Sequence, residues 1–475
     1  MNIKSYLYAM NRRGAFRWRW LGLFGWMVWI FPSFFLMNCA QIGVPTGGAR
    51  DTAAPVFIKA NPPIRSTDFS GNNIQLLFDE YVDVQDLQQH LLVSPSPKSQ
   101  PIVRHNLRTV TVKLQDTLLP NTTYSIQFGN AIRDINEGNI LKNFTYIFST
   151  GKVIDSLSIM GKVTLAENGK TDSTLLVMLY RDAPDSAITT RRPDYTTRLD
   201  GTGQFRFNNL PAAAFKLYAL KDGDGNRFYN AGTEMFAFFD TPVLATENPT
   251  SLELFAYATT KPATTSATAS KTPEKKLRYT NNIIGGSQDL FSPLALTFNN
   301  PIQTFFKDSL RLLDTSLRDI PNGQFVLDSS RRKLTIQGDW KAGQSVSLSL
   351  STGAFIDSAG NQLAKNDTLR FSIKNNSDYG SLKIRFGNLD LTKKPVLLFM
   401  DGDAVRWSYS LTSNAWKKDM MLPGEYEVRV LYDENGNGVW DAGHYSQKKQ
   451  PEKAITLPEK IQVRANWDTE RTFDL

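Results

Sequence analysis

The feature that most constrains the fold is a duplication within the chain. Residues 210–232, LPAAAFKLYALKDGDGNRFYNAG, recur as residues 422–443, LPGEYEVRVLYDENGNGVWDAG. Apart from one extra Ala in the first copy, the two stretches align throughout, pairing Phe215 with Tyr426, Asp222 with Asp433, and Gly232 with Gly443. A fainter repeat lies upstream of each copy and pairs Ile74, Leu76 and Phe78 with Leu294, Leu296 and Phe298. The chain is therefore predicted to use a two-part unit twice, in the order A, B, A′, B′, which favours an architectural or binding role.

Both parts of the unit have the pattern of β-strands. Apolar residues alternate with polar ones in at least three stretches of the first unit: Val110, Val112 and Leu114; Tyr124, Ile126 and Phe128; Phe144, Tyr146 and Phe148. A period of two over five or six residues is typical of a strand with one face on a core. Each part spans about 100 residues, the size of an immunoglobulin-like sandwich. We predict an all-β chain of tandem Ig-like and transthyretin-like β-sandwiches after an N-terminal lipoprotein signal.

The predicted organisation divides the 475 residues into seven parts. These are a lipoprotein signal peptide (1–38), a tether (39–51), an Ig-like domain A (52–151), a β-sandwich B (152–258), a linker (259–280), an Ig-like domain A′ (281–376) and a β-sandwich B′ (377–475). The linker contains TTKPATTSATASKTPEKK, which is rich in Thr, Ala and Lys and has no apolar period. Because such a segment contributes to no core, we expect the two halves of the chain to fold independently.

The N-terminal residues have the layout of a secretory signal. Five basic residues and no acidic ones occur in the first 38, and residues 20–37 are almost continuously apolar. Cys39, the only cysteine of the chain, cannot form an intramolecular disulfide. The sequence Leu36-Met37-Asn38-Cys39 resembles the lipobox of bacterial lipoproteins, which implies lipidation of Cys39 and a membrane partner through that anchor. The alternative is an uncleaved N-terminal transmembrane anchor, because about 18 apolar residues just span a bilayer.

The basic charge of the chain is largely a property of this leader. The formal net charge is +8, and removing the five basic residues of the leader gives +3. No cluster of Lys and Arg interleaved with aromatic residues follows the leader. The sequence therefore predicts no nucleic-acid partner.

Several stretches resemble Bacteroidota lipoproteins that carry a bacterial Ig-like domain of the S-layer-protein type. They are CAQIGVPTGGARDTAAP, LLFDEYVD, LPNTTYSIQFGNAIRDINEGN and FTYIFSTG, together with the C-terminal YDENGNGVWDAGHYSQKKQPEKAITLPEKIQVRANWD. GQFRFNNLP in part B resembles the transthyretin-like, carboxypeptidase-regulatory type of sandwich. The resemblance implies a lipid-anchored protein of the cell envelope, in the outer membrane, and it implies no catalytic residues.

The sequence offers no constellation typical of catalysis. The three histidines, His90, His105 and His444, are far apart in the chain, and no nucleophile elbow, phosphate-binding loop or dinucleotide fingerprint is found. We therefore predict that the protein is not an enzyme and has no catalytic residues.

The duplicated acidic loop is the one candidate for a bound ion. DGDGNRFYN and DENGNGVWD place oxygen-bearing side chains at relative positions 1, 3, 5 and 9, which resembles part of a calcium-binding loop. The possible calcium ligands are Asp222, Asp224, Asn226 and Asn230 in the first copy and Asp433, Asn435, Asn437 and Asp441 in the second. The alternative is a tight turn in which Asp and Asn bond their own backbone above Tyr229 or Trp440. The sequence favours the turn, since position 12 carries Thr233 or His444 instead of an acid.

Two classes of function remain open at this point. The first is a membrane-anchored, non-enzymatic cell-envelope lipoprotein with a structural or protein-interaction role. The second is a glycan- or peptide-binding surface module for nutrient uptake, which predicts exposed aromatic residues such as Trp407, Trp416 or Tyr445 in one groove. Aromatic residues packed in the cores favour the first. The unknown partner is accordingly an envelope protein or a glycan.

Overall fold

A computed structural model describes residues 50–230, 232–260 and 276–475. The predicted signal peptide, Cys39 and the central part of the predicted linker lie outside these residues. Residues 54–475 form one compact unit. Within the described ranges, no helix has both the length and the apolar character needed to cross a bilayer. We use A, B and B′ for residues 52–151, 152–258 and 377–475, and we use A′ for residues 276–376, because its first strand and its core begin within the predicted linker.

Region A is a sandwich of short strands. Its elements are β1 (Phe57–Asn61), β2 (Asn73–Phe78), β3 (Val82–Val84), α1 (Leu87–His90), β4 (Leu92–Ser94), β5 (Ile102–Asn106), β6 (Thr109–Lys113), β7 (Thr123–Gln127), β8 (Ile132–Asp134) and β9 (Thr145–Ser149). A sheet in the order β1-β2-β6-β5 faces a sheet in the order β4-β7-β9, and β3 pairs with β8. The alternating residues predicted from the sequence point inward, and Val110, Ile126 and Phe148 are completely buried.

Region B is a second type of sandwich. Its elements are β10 (Leu157–Leu165), β11 (Leu176–Arg181), α2 (Ala187–Thr190), β12 (Tyr195–Arg198), β13 (Gln204–Leu210), β14 (Ala214–Leu220), β15 (Phe236–Phe238), β16 (Val243–Leu244) and β17 (Ser251–Ala256). One sheet has the order β13-β10-β17, with β10 and β17 parallel, and the other has the order β12-β11-β14-β15, with β16 also paired to β14. The core between the sheets includes Val163, Leu179 and Leu217.

Region A′ has nearly the strand order of region A. Its elements are β18 (Tyr279–Asn281), β19 (Ser287–Gln288), β20 (Leu294–Phe298), β21 (Ile302–Phe305), η1 (Lys307–Ser309), β22 (Leu310–Leu313), β23 (Gln324–Leu327), β24 (Lys333–Gln337), β25 (Ser345–Leu350), η2 (Thr352–Ala354), β26 (Phe355–Asp357), β27 (Asp367–Ile373) and η3 (Asn376–Asp378). Its sheets follow the orders β18-β20-β24-β23 and β19-β27-β25-β22, and β21 pairs with β26. Leu277, which the sequence assigns to the linker, is buried in this core, so the packed chain resumes earlier than predicted.

Region B′ repeats the strand order of region B. Its elements are β28 (Gly380–Gly387), η4 (Leu391–Lys393), β29 (Pro395–Asp401), β30 (Ala404–Ser410), β31 (Ala415–Met421), β32 (Gly424–Tyr432), η5 (Tyr445–Gln447), β33 (Lys453–Thr456), β34 (Ile461–Val463) and β35 (Asp468–Asp474). The sheets follow the orders β31-β28-β35, with β28 and β35 parallel, and β30-β29-β32-β33, with β34 paired to β32. The all-β prediction is therefore confirmed. The boundaries of the four regions stay a prediction, which the splitting experiment below addresses.

Candidate functional site

The N-terminal acidic loop joins β14 to β15. It carries the predicted ligands Asp222, Asp224, Asn226 and Asn230. Asp222 Oδ2 accepts a hydrogen bond from the backbone N–H of Arg227 at 3.1 Å, and Asp224 Oδ1 accepts one from Asn226 N–H at 3.1 Å. Asn226 Oδ1 in turn accepts from the N–H of Phe228 at 2.5 Å. Burial raises the pKa of the Asp222 carboxyl, and the nearby Asp224 carboxylate raises it further.

The C-terminal acidic loop joins β32 to β33 and is more tightly bonded. It carries Asp433, Asn435, Asn437 and Asp441. Asp433 Oδ1 accepts from the backbone N–H of Gly436 at 2.7 Å and of Asn437 at 3.1 Å. Asp433 Oδ2 accepts from Gly438 N–H at 2.6 Å. Asp441 Oδ2 accepts from the side-chain amide of Asn437 at 3.0 Å. The four side chains thus lie together around one turn.

Each loop also recruits a glutamate that the sequence comparison missed. Glu234 Oε2 accepts from the backbone N–H of Asn230 at 2.8 Å, and Glu452 Oε2 accepts from the equivalent N–H of Asp441 at 3.0 Å. Glu452 is 6% exposed. Burial raises the pKa of its carboxyl, and the carboxylates of Asp433 and Asp441 raise it further. The C-terminal loop therefore gathers three carboxyl groups.

The bonding pattern favours a tight turn in both loops. Carboxylate and amide oxygens accept backbone N–H groups two to five residues ahead, as Asp and Asn side chains do when they stabilise a turn. Tyr229 stacks on Phe236 beneath the first loop, with ring centroids 4.2 Å apart. Within the described ranges, no group of three or more His, Cys, Asp or Glu side chains has the spacing of a metal site. Calcium binding stays a prediction.

Replacement of Asp433 by Asn is expected to lower the free energy of unfolding by about 1–3 kcal/mol. An amide has one acceptor oxygen, so it cannot satisfy the three backbone N–H groups that the two carboxylate oxygens bind. The matched control is Asp224→Asn, in the exposed part of the other loop, for which we expect a change within about 0.5 kcal/mol. Urea unfolding of the two variants measures both values, and equal losses would contradict this account.

Calcium titration distinguishes the turn from an ion site. For a turn alone, we expect millimolar calcium and magnesium to give the same melting temperature. A calcium-specific rise that Asp433→Asn abolishes would establish a site at the C-terminal loop and contradict the turn interpretation, since a ligand that binds only the folded chain raises its stability.

The aromatic residues predicted as a possible binding platform lie against cores. The Trp407 ring centroid is 6.1 Å from that of Phe399 and 5.7 Å from that of Tyr426. The Trp416 ring centroid is 5.3 Å from that of Phe399. Both tryptophans are partly buried against the core of region B′. Their placement favours the structural function over the glycan-binding one.

Tyr445 belongs to a contact that sequence reasoning missed. Residues Trp440 to Thr456 of region B′, which we name the arm, lie on the outer face of the β12-β11-β14-β15 sheet of region B. The Tyr445 ring meets the rings of Tyr218, Phe236 and Phe238 at centroid distances of 5.7, 5.3 and 5.1 Å. These residues form one apolar cluster with Met178, Tyr180, Leu220, Tyr257 and Trp440. Regions B and B′ therefore share a core.

Polar contacts fix the arm on region B. The hydroxyls of Tyr218 and Tyr445 are 2.7 Å apart, and Tyr445 donates to the backbone oxygen of Asp185 at 2.8 Å. The N–H of Ala454 in β33 donates to the backbone oxygen of Ala166 at 2.7 Å. Lys448 pairs with the Asp185 carboxylate at 2.8 Å. The backbone and side-chain bonds together define one orientation of the two sandwiches.

A cleft lies beside the C-terminal acidic loop. It measures about 860 Å³ and its lining includes Met400, Val405, Arg429, Trp440 and His444. Arg429 is 5% exposed and pairs with Glu427 at 2.8 Å. Its charge is therefore already balanced within region B′.

Comparison with solved structures returns bacterial surface proteins among the matches, at low similarity. The major pilin subunit of Bacillus cereus is 8% identical, with 67% of this chain and 99% of that chain covered and a TM-score of 0.18. The N-terminal part of the S-layer protein SbsC is 13% identical, with 43% of this chain and 44% of that chain covered and a TM-score of 0.15. The FN1–FN3 domains of chicken CNTN1 are 9% identical, with 68% of this chain and 100% of that chain covered and a TM-score of 0.13. TM-scores this low carry no argument about function.

Family comparison is more informative for one part of the chain. A search of curated proteins found no match. Residues 51–150 match the family model of the bacterial Ig-like domain, which confirms the prediction of an Ig-like domain in this part of the chain.

Proposed function

We propose that the protein is a non-enzymatic scaffold of the bacterial cell envelope, anchored by lipid and with a structural or protein-interaction role. The observation that carries this proposal is the arm, which joins the sandwiches of regions B and B′ through a shared aromatic core. A contact of this kind restricts the motion of one repeat relative to the other. A fixed arrangement of the two repeats suits a protein that acts as a spacer or that presents binding surfaces to a partner.

The composition of the shared core supports the same role. Tyr180, Tyr218, Phe236 and Phe238 are at most 2% exposed, so these rings serve internal packing. The Ig-like domain at residues 51–150 adds a further sandwich at the N-terminal side. Of the residues that sequence reasoning considered for recognition, Tyr445 packs against this shared core, and Trp407 and Trp416 pack against the core of region B′.

The proposed location is the outer membrane, with Cys39 as the lipidated residue. The support is the lipobox-like Leu36-Met37-Asn38-Cys39 after a basic and apolar leader. One acyl chain gives only marginal membrane binding, with an association constant of about 10⁴ M⁻¹, so stable anchoring requires two or three. An uncleaved transmembrane leader is the alternative form of attachment.

Replacement of Cys39 by Ser tests the anchor. We expect cells fed an alkyne fatty acid to label the wild-type chain and to leave the variant unlabelled, because no other thiol is present. The variant is also expected to leave the membrane fraction or to accumulate unprocessed. Equal fatty-acid labelling of both chains would contradict lipidation at Cys39, and membrane retention of an unlabelled wild-type chain would favour the transmembrane anchor.

A glycan- or peptide-binding module for uptake is the second candidate, and the cleft near Val405 is its best location. Val405 is 52% exposed, so Val405→Asp changes the cleft without disturbing a core. Binding of surface polysaccharides or peptides that this variant loses, measured by calorimetry, would favour uptake over the structural role. Absence of binding by the wild-type chain is the result that the scaffold proposal expects.

A further inference from the structure

One end of region A exposes four apolar side chains, which we name the apolar tip. They are Val56, Tyr81, Leu107 and Ile135, with exposures of 59, 52, 63 and 52%. Single exposed apolar residues are common on protein surfaces, but adjacent ones indicate a site of interaction.

Backbone hydrogen bonds place the four residues of the tip side by side. Val56 and Asp79 bond each other twice: Val56 N–H donates to Asp79 Oδ1 at 2.7 Å, and Asp79 N–H donates to Val56 O at 3.1 Å. Ile135 N–H donates to Tyr81 O at 3.1 Å. The N–H of Val82, the residue after Tyr81, donates to Leu107 O at 3.0 Å. The segments that carry the four residues of the tip are therefore adjacent to one another and connected by hydrogen bonds.

Region A′ contains the same bonds with different side chains. Arg278 N–H donates to Asn299 Oδ1 at 2.8 Å, and Asn299 N–H donates to Arg278 O at 3.1 Å. Ser358 N–H donates to Pro301 O at 3.1 Å, and Ile302 N–H donates to Arg331 O at 2.8 Å. The residues of A′ equivalent to Val56, Tyr81, Leu107 and Ile135 are therefore Arg278, Pro301, Arg331 and Ser358.

Comparison of the two copies shows which side chains of the tip the fold itself requires. Leu107 and Arg331 both have a positive φ, of 53° and 56°, a conformation in which Asn or Gly is more usual. The same turn thus forms with a charged residue, and the sandwich does not need Leu there. The apolar side chains of the first copy contribute little to a core and cost solubility. Their joint exposure is typical of a surface that contacts a partner.

The position of the tip indicates which partner this is. Val56 belongs to the tip and directly precedes β1, where the chain enters region A. The covalent path from Cys39 to Val56 is 17 residues, which spans at most about 60 Å and about 20–25 Å if coiled. A membrane anchor at Cys39 keeps this end of region A close to the bilayer. The tip of region A′ has no such tether next to it.

We propose that the apolar tip inserts into the lipid headgroup boundary of the membrane that holds Cys39. The inference rests on the lipid anchoring proposed above. Tyr81 supplies a ring with a polar end, which suits the membrane interface, and Leu107 and Ile135 supply apolar area. The tip would fix the orientation of region A on the membrane, which a lipid anchor alone leaves free.

The test uses an anchor that does not depend on acylation. Residues 50–475, which include the whole compact unit 54–475, contain no cysteine. An N-terminal histidine tag holds this chain on phosphatidylethanolamine–phosphatidylglycerol vesicles that contain a nickel-chelating lipid. A nitrobenzoxadiazole label on Leu107→Cys then reports the polarity around the tip, and the same label on Arg331→Cys is the matched control.

We expect tethering to raise the fluorescence of the label at position 107 by about threefold with a blue shift, as for a group that enters the interface, and to leave the label at 331 unchanged. Lipids with a spin label should quench position 107 alone. Addition of Val56→Ser, Tyr81→Ser and Ile135→Ser should abolish the rise.

Two results would overturn the proposal. One is aqueous fluorescence at position 107 while flotation shows that the chain is bound to the vesicles. The other is a rise that depends on protein concentration without vesicles, which would make the tip a contact between two copies. If Cys39 is labelled by the fatty acid but the label at position 107 stays in water, the insertion of the tip is rejected and the lipid anchor stands. If the label at position 107 enters the membrane but Cys39 is not labelled, the lipid anchor is rejected and the affinity of the tip for lipid stands.

Discussion

Tyr445→Ala is expected to lower the free energy of unfolding by about 3 kcal/mol, as removal of a packed aromatic ring does. The ring contacts three aromatic residues of region B, of which Phe236 and Phe238 are almost completely buried. Its hydroxyl is also the hydrogen-bond partner of Tyr218, whose pKa burial raises to about 12. Loss of the ring leaves that buried hydroxyl without its partner. Urea unfolding of a chain of residues 50–475 measures the loss.

Tyr445→Phe separates the ring from its hydroxyl. Phenylalanine keeps the three ring contacts and loses the bonds to Tyr218 and to the Asp185 backbone oxygen, so we expect a loss of about 1 kcal/mol. If Tyr445→Ala had no greater effect than Tyr445→Phe, packing of the arm would contribute nothing to stability. The shared core would then be an incidental contact.

Separation of the chain into residues 50–260 and 276–475 is expected to yield two fragments that bind each other. Each fragment exposes one side of the shared aromatic core, so each should melt at a lower temperature than the intact chain. Mixed together, they should form a one-to-one complex with the melting temperature restored, as light scattering and calorimetry can show. The polar linker predicted independent halves, and the contact between the arm and region B changes that expectation.

Gly443 provides a control for this association. A Cβ at Gly443 would be 2.7 Å from the ring of Tyr257 and 2.9 Å from Pro451, so Gly443→Ala in the C-terminal fragment should weaken the complex. Gly353→Ala in the same fragment is the matched change, because a Cβ there has no neighbour within 4 Å. Two fragments that stay apart at micromolar concentration, each as stable as the intact chain, would restore the prediction of independent halves.

The strands of regions A and A′ could be read from the sequence because each strand has one buried face. Alternation assigned Val110, Val112 and Ile126 to the core, and all three are completely buried. The central strands of regions B and B′ follow a different pattern. LVMLY in β11 and VLLFM in β29 are continuous apolar runs, which indicate burial on both faces. The two runs therefore predict that both faces of these strands are buried. No residue near them in the sequence indicates that the arm covers the outer face of region B.

The acidic loops show where spacing alone fails. Both loops bond the ninth residue to a glutamate, but Glu234 follows four residues after Asn230 and Glu452 follows eleven after Asp441. An alignment of the two copies pairs residues at equal spacing, so it does not pair Glu234 with Glu452. The equivalence exists only in three dimensions, since the intervening backbone of the two copies differs.

The shared core also has a consequence for the order of synthesis. The outer face of region B is complete at Tyr257, whereas the arm that covers it begins at Trp440. About 180 residues must be added in between, which takes about 9–37 s at the usual 5–20 residues per second. During that interval a nascent chain that has folded region B carries an uncovered face of tyrosine, phenylalanine and methionine. Chaperones that hold the chain until the arm arrives would protect it from aggregation, and a product truncated before residue 440 would keep this face exposed and be a natural substrate for quality-control proteases.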